Sequence, residues 1–337
     1  MKVCRCFGSL LVLVGVVALV GPTLSVLAQD KDEALEWKAF NKDTKEWYQT
    51  LETTTDQVMK VQGMDVNQKQ KQTFYIKWSP QEFKEKGTWV VKQRIVGVKM
   101  SIDIGGNKID YDSTVQQPNN PMTDFFKALQ KLDLTFTIKQ SDMSIEKIEG
   151  NKEFITELGK TNPQMEPLLK SILSEDALKK MAEPTLFAFP KDAKDGKVKV
   201  KVGTTWERTS NLNLGPIGKY KTDYKFEFKG KVAKKEDQVK IDVKASMVYT
   251  PPDEQGNLPF KILKDGSKLE GKEGTGEAIF NTKLGRFDSY TMKMKLEGKL
   301  KIDIGGMVTE VDLTQDQTAT VTSSNEDPIP QKKAKEK

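Results

Sequence analysis

Tyr290-Thr291-Met292-Lys293-Met294-Lys295-Leu296-Glu297-Gly298-Lys299-Leu300-Lys301-Ile302-Asp303-Ile304 decides the fold class. Large apolar residues and polar or charged ones alternate for fifteen positions, the signature of a long strand with one buried and one wet face. The same period of two recurs at Val239, Ile241, Val243, Ala245, Met247 and Tyr249, at Tyr224, Phe226, Phe228 and Val232, and at Val198, Val200 and Val202. Leu134, Phe136 and Ile138 repeat it in the first half, as do Phe74, Ile76 and Trp78. Strands wet on one face belong to antiparallel sheets, because parallel sheets are normally covered on both. Two segments break the pattern. Phe125, Phe126, Leu129 and Leu132 follow Thr123-Asp124 at helical spacing, predicting a helix over residues 121–132. Phe154, Ile155, Leu158, then Leu168, Leu169, Ile172, Leu173, Ala177, Leu178 and Met181 predict a helical block over 153–182, with Pro167 suited to a first helical turn.

The expected fold is therefore α+β and β-dominated, with long antiparallel strands forming one or two curved sheets or half-open barrels and a central helical block packed against them. Its expected organisation is a leader at 1–28, a first β-rich half at 29–150 with the short helix near 121–132, the helical block at 151–183, a second β-rich half at 184–322, and a disordered basic tail at 323–337. Ile102-Asp103-Ile104-Gly105-Gly106 and Ile302-Asp303-Ile304-Gly305-Gly306 echo each other across the halves, both as strand ends entering Gly-containing hairpin turns. A transmembrane β-barrel is also built from alternating strands; against it stand the helical block and lysine-rich polar faces without aromatic girdles.

Lys2 and Arg5 precede an apolar stretch from Leu10 to Leu27, and Val26 and Ala28 sit where a small-residue cleavage site needs them. The expectation is a secretory signal cut before Gln29, with an exported protein in the periplasm, the cell envelope or the medium. The run is also long enough for an anchor, since about 17 to 25 apolar residues span a bilayer; Gly21-Pro22 interrupts it and favours cleavage. After cleavage no transmembrane span is expected. Cys4 and Cys6 are the only cysteines and precede the apolar run, so neither lipidation nor a disulfide is expected.

The 337 residues contain no histidine, which removes most nucleophilic and metal-site chemistry. Arg5, Arg94, Arg208 and Arg286 are the only arginines against 50 lysines, in a chain of net charge +6. Arginine is the residue that forks onto phosphates and base edges, so nucleic-acid binding is not expected; lysine at this density coats the wet faces and edges of sheets. Ser144 and Lys147 match an S-x-x-K spacing, but Met143 to Lys147 alternates like a strand, which separates them onto opposite faces. Asp103, Asp110 and Asp112 could offer calcium oxygen ligands, though not at EF-hand spacing. Gly271, Gly274 and Gly276 lead into Ala278-Ile279-Phe280 rather than a helix, which makes a glycine-rich hairpin or bulge rather than a phosphate loop. No motif calls for a cofactor.

Ile109-Asp110-Tyr111-Asp112-Ser113, then a short helix, Leu134-Thr135-Phe136-Thr137-Ile138 leading into Ile145 to Gly150, Phe189-Pro190, and Val202-Gly203-Thr204-Thr205-Trp206 together resemble an uncharacterised family of exported bacterial proteins of unknown function, over residues 45–320. The resemblance implies a β-rich envelope or secreted protein and attaches no activity, cofactor or catalytic residue.

The leading functional expectation is a non-catalytic exported protein that binds a ligand or partner, such as a hydrophobic molecule or an envelope component. Its sharper form is a carrier whose apolar cleft is lined by Met247, Tyr249, Met292, Met294 and Leu296, with the helices from Leu168 to Met181 as a lid. The other class is a hydrolase using paired carboxylates, the chemistry left when histidine and cysteine are missing.

Overall fold

The computed structural model describes residues 26–27, 32–41, 43–81, 87–118, 121–161, 166–253, 258 and 260–329. Most of the expected leader and the residues after 329 lie outside these, as do the side chains of Leu158, Pro167 and Leu168. The strands are β1 (Val26–Leu27), β2 (Glu33–Glu36), β3 (Trp47–Val61), β4 (Met64–Pro80), β5 (Thr88–Ile104), β6 (Asn107–Asp112), β7 (Asp133–Lys139), β8 (Ile145–Glu149), β9 (Lys197–Val200), β10 (Thr205–Asn213), β11 (Lys219–Val232), β12 (Gln238–Thr250), β13 (Lys261–Ile262), β14 (Lys268–Asn281), β15 (Arg286–Ile304) and β16 (Met307–Ser324). The helices are α1 (Pro121–Leu129), α2 (Asn151–Thr161), α3 (Glu166–Ile172) and α4 (Glu175–Phe187), with a 3-10 turn at Gly215–Ile217.

Fourteen strands form one antiparallel sheet in the order β1-β11-β12-β14-β15-β16-β3-β4-β5-β7-β8, with β10 on β11, β13 on β15 and β6 on β5, while β2 and β9 pair separately. β16 pairs with β3 from Val311 opposite Val61 to Ser324 opposite Tyr48, so the last long strand joins the first and the sheet runs unbroken through both expected halves. The decisive stretch lies in β15, whose nineteen residues pair along most of their length with β16. The fold class is the expected one, α+β and β-dominated. The two echoing pentapeptides are the same turn used twice: Gly105 (φ 56°) with Gly106 (φ 88°) and Gly305 (φ 61°) with Gly306 (φ 90°) both have positive φ at the two central positions, the type I′ geometry that suits the twist of paired strands. In each, the preceding aspartate, Asp103 or Asp303, accepts from the second glycine's N–H, at 2.8 and 2.7 Å.

Among the described residues the sheet is not closed into a barrel by hydrogen bonds. Its free ends near β8 and β10 are bridged by α4. Ser174 caps this helix by accepting from the Ala177 N–H. On one side Glu175 accepts from the Ile148 N–H and Lys179 donates to the Glu146 carbonyl. On the other, the Trp206 indole donates to the Phe187 carbonyl and the Ser210 hydroxyl to that of Lys180. The expected helical block over 153–182 is three helices, α3 starting beside Pro167 and α4 just after Ser174, and α4 runs through Pro184 to Phe187, beyond the expected boundary at 183. The expected end at 322 falls inside β16: Arg286 donates to Asn325, and Ile329 lies on Gly97 beside Tyr75.

Candidate functional site

Directly paired residues of antiparallel strands point to the same face, so the ladder registers define the inner face without ambiguity. Across it run Phe226, Val243, Gly276, Met292, Ala319, Thr53, Gln72 and Met100, from β11 to β5. A parallel row holds Met247, Gly271, Leu296, Gln315, Gln57, Gln68 and Ile104. Between them Met294 pairs with Gln317, then Thr55, Gln70 and Ile102. None of these residues is charged. Beside these rows β14 and β15 carry their lysines on the other face, where Lys272, Lys293 and Lys295 alternate with the inner residues.

The structure brings four of the five expected ligand-binding residues together. Met247, Met292, Met294 and Leu296 gather over the glycines of β14, where a bulge between Lys272 and Thr275 shifts the register. A Cβ placed on Gly271 would lie 3.0 Å from the Met294 sulfur and 3.3 Å from the Met247 Cβ; one on Gly274 would lie 3.1 Å from the terminal methyls of Met292 and Met294. The glycines thus make a bare strip of backbone, and methionine side chains lie along it. Tyr249, the fifth, has another task. Its ring packs on Tyr220 with centroids 5.1 Å apart and its hydroxyl donates to the Ile217 carbonyl at 2.8 Å, holding the 3-10 turn. Burial pushes the phenols of Tyr220, Tyr224, Tyr249 and Tyr290 up, so they stay neutral.

Sequence reasoning missed the polar part of this face. Gln57, Gln68, Gln70, Gln315 and Gln317 are buried, with Gln68 only 1% and Gln57 only 2% exposed. The Gln68 Nε2 donates to the Gln70 side-chain Oε1 at 3.3 Å. The Gln57 Nε2, Gln68 Oε1 and Gln317 Nε2 atoms have no hydrogen-bond partner among the described residues. Of the helices, α4 packs on β8 and β10, and α3 on the 3-10 turn.

On the outer face a groove of about 410 Å³ is lined by Glu52, Lys71, Thr73, Tyr75, Lys99, Asp110 and Asp112 among others. Asp112 lies below the usual carboxylate range: burial opposes the shift, and hydrogen bonds from Thr114 and Lys99 outweigh it. Asp110 is likewise lowered, by Ser101 and Lys108. With Asp103 on the Gly106 N–H, the three aspartates considered for calcium serve turns and ion pairs, and among the described residues no three potential metal-ligating side chains cluster. Ser144 donates to Asp142 at 2.7 Å and Lys147 pairs with Glu149 at 2.6 Å, so the S-x-x-K residues do not meet.

A family model describing a family of unknown function matches residues 86–327, well over half of the chain. The chain belongs to DUF6263. No curated protein matches this DUF6263 member. Among similar solved structures, the one described as lipid-protein interactions in lipovitellin is 9% identical with a TM-score of 0.43, covering 85% of this chain and 26% of that one. The DUF6263 chain therefore spans about a quarter of the lipovitellin chain. OccK5 (OpdH) of Pseudomonas aeruginosa is 7% identical with a TM-score of 0.22, covering 83% of this chain and 98% of that one. The autotransporter NalP translocator domain from Neisseria meningitidis is 5% identical with a TM-score of 0.16, covering 84% and 90%. At these values none of the three assigns a fold or a function.

Proposed function

We propose that this DUF6263 member is an exported, non-catalytic binding protein that holds a hydrophobic molecule against the inner face of its curved sheet. One observation carries the reading: Met247, Met292 and Met294 lie over the backbone of Gly271 and Gly274, in rows of paired inner positions that carry no charge. An ordinary sheet core fills such positions with branched side chains that interlock and stay fixed. Methionine has three rotatable bonds and a polarisable sulfur, and rotating it away from a glycine uncovers a slot for an alkyl chain. Binding of this kind uses shape and apolar area and needs neither nucleophile nor metal. Export is supported by Lys2 and Arg5 ahead of the apolar run and by Val26 and Ala28 at the cleavage positions.

Native mass spectrometry of the full chain purified from the cells that make it, followed by organic extraction, tests the binding. The expected result is a bound apolar species that appears in the extract. Protein recovered free of any such species, and unable to take up a lipid mixture from the same cells, would contradict it. N-terminal sequencing of the recovered protein tests export: a mature terminus at Gln29 is expected, and an intact Met1 terminus in a soluble cytoplasmic fraction would contradict it.

A further inference from the structure

The three unpartnered amide atoms are not scattered. Gln317 on β16 pairs with Thr55 on β3, Gln57 lies two residues from Thr55 on the same face, and Gln68 on β4 is the direct partner of Gln57. Three neighbouring strands thus present two donors, the Nε2 groups of Gln57 and Gln317, and one acceptor, the Gln68 Oε1, within one small area. A buried amide without a partner is destabilising, and native proteins satisfy nearly all such groups. This patch adjoins the methionine strip: Gln317 pairs with Met294, and Gln315 with Leu296. From Gln317 to the β14 glycines is two strand spacings, about 10 Å.

We infer that the bound molecule is an amphiphile with an uncharged head that both donates and accepts hydrogen bonds, of the amide or alcohol class, and that Gln57, Gln68 and Gln317 receive this head while its chain lies under Met292 and Met294. The inference rests on the binding reading above. A pure hydrocarbon would leave all three amide atoms unmet. A carboxylate could accept from Gln57 and Gln317, but it cannot donate to the Gln68 Oε1, and it would bring a charge into rows of paired positions that hold no cation. A primary amide or a hydroxyl supplies both polarities with no charge.

Displacement of the uncharged fluorophore N-phenyl-1-naphthylamine from the full chain by decanamide, decan-1-ol, decanoate and decane tests this. The fluorophore is expected to bind, and decanamide and decanol to displace it at concentrations about tenfold or more below decane and decanoate, as one or two hydrogen bonds made to otherwise unmet groups would give. In the combined variant Gln57→Leu, Gln68→Leu, Gln317→Leu the fluorophore should still bind, and decanamide should fall to within about twofold of decane. The single variant Gln317→Met, close in shape to its neighbour Met294, should lose part of the preference, about threefold, and keeps the test alive should the combined variant fail to fold. Equal displacement by all four compounds, or a preference that survives both variants, would overturn the inference and leave the binding reading standing. No fluorophore binding and no displacement would overturn both.

Discussion

At the end of the sheet where β3, β4 and β5 meet the segment before β3, the inner face is a lattice of rings. Trp37 packs on Phe40, Phe189, Phe280 and Phe287, Phe40 on Trp47, Trp78 and Trp89, and Trp47 stacks on Trp78 at 5.8 Å. Three of its four indole N–H groups are bound, Trp47 to the Ala39 carbonyl, Trp78 to Gln49 and Trp89 to Asn41. A few residues further along β3 and β4 the inner positions turn into Thr53, Thr55, Gln57, Gln70 and Gln68, facing methionines and glycines across β15 and β14. Rings with fixed partners make a rigid core. Flexible thioethers over bare backbone, next to amides without partners, make a surface that another molecule can complete. The two regions share strands, so the difference lies in side chains alone.

Substitution of one large side chain in each region should separate the two most strongly. Trp89→Ala removes a 1% exposed ring from the lattice and should cost about 3–5 kcal/mol in urea unfolding, whereas Met294→Leu, which keeps the volume, should cost under about 1.5 kcal/mol. Equal losses would erase the distinction. Glycine substitution gives the next contrast. Gly196 has φ 74°, and an added Cβ would sit 2.9 Å from the Trp89 ring, so Gly196→Ala should cost about 2–3 kcal/mol. At Gly271 the nearest atom is the movable Met294 sulfur. Gly271→Ala should cost under about 1 kcal/mol in the same assay while weakening uptake of an apolar ligand.

The paired carboxylates lie on the other side of the sheet, and the pH dependence of stability should come from there. Arg94 holds Asp133 by two hydrogen bonds of 2.5 and 2.7 Å, helped by Lys92, which brings the Asp133 carboxyl down to about 2. A depressed carboxylate contributes above its unfolded value near 4, and that contribution disappears as pH falls through about 2. Because Arg94 is half exposed, the contribution is about 1 kcal/mol. Asp133→Asn should therefore lower stability by that amount at pH 7 and lose most of that effect by pH 2, as read from denaturation at both values. The smallest effect belongs to the inner face: Gln57→Leu should be neutral or stabilising by up to about 1 kcal/mol at every pH, because it removes an unmet amide. A loss of several kcal/mol would mean that Gln57 has a structural partner.

The same contrast explains what the sequence reveals. β15, β12 and β11 were legible because their inner positions are apolar and their outer ones charged, so the period of two is visible. β3 was not: Thr53, Thr55 and Gln57 occupy its inner positions, and with polar residues on both faces the alternation vanishes from a hydropathy reading. The glutamine half of the site was hidden for the same reason, while the methionine half stood out on β15. The bulge at Gly271 and Gly274 was visible as glycine punctuation, but which methionines cover it depends on pairing between strands, which spacing along one strand does not encode. Likewise the apolar stripe of α4 marked a packed helix without showing that it bridges β8 and β10.

Under the proposed function one part of the inner face is a core and the other a binding surface. Methyl-labelled methionine NMR of the full chain, titrated with decan-1-ol, tests it most directly, with the tryptophan indole N–H signals as the internal reference. Shifts of the Met247, Met292 and Met294 methyls that saturate together while the Trp47, Trp78 and Trp89 signals stay in place are the predicted result. Methionine signals that do not move, or tryptophan signals that move with them, would contradict it.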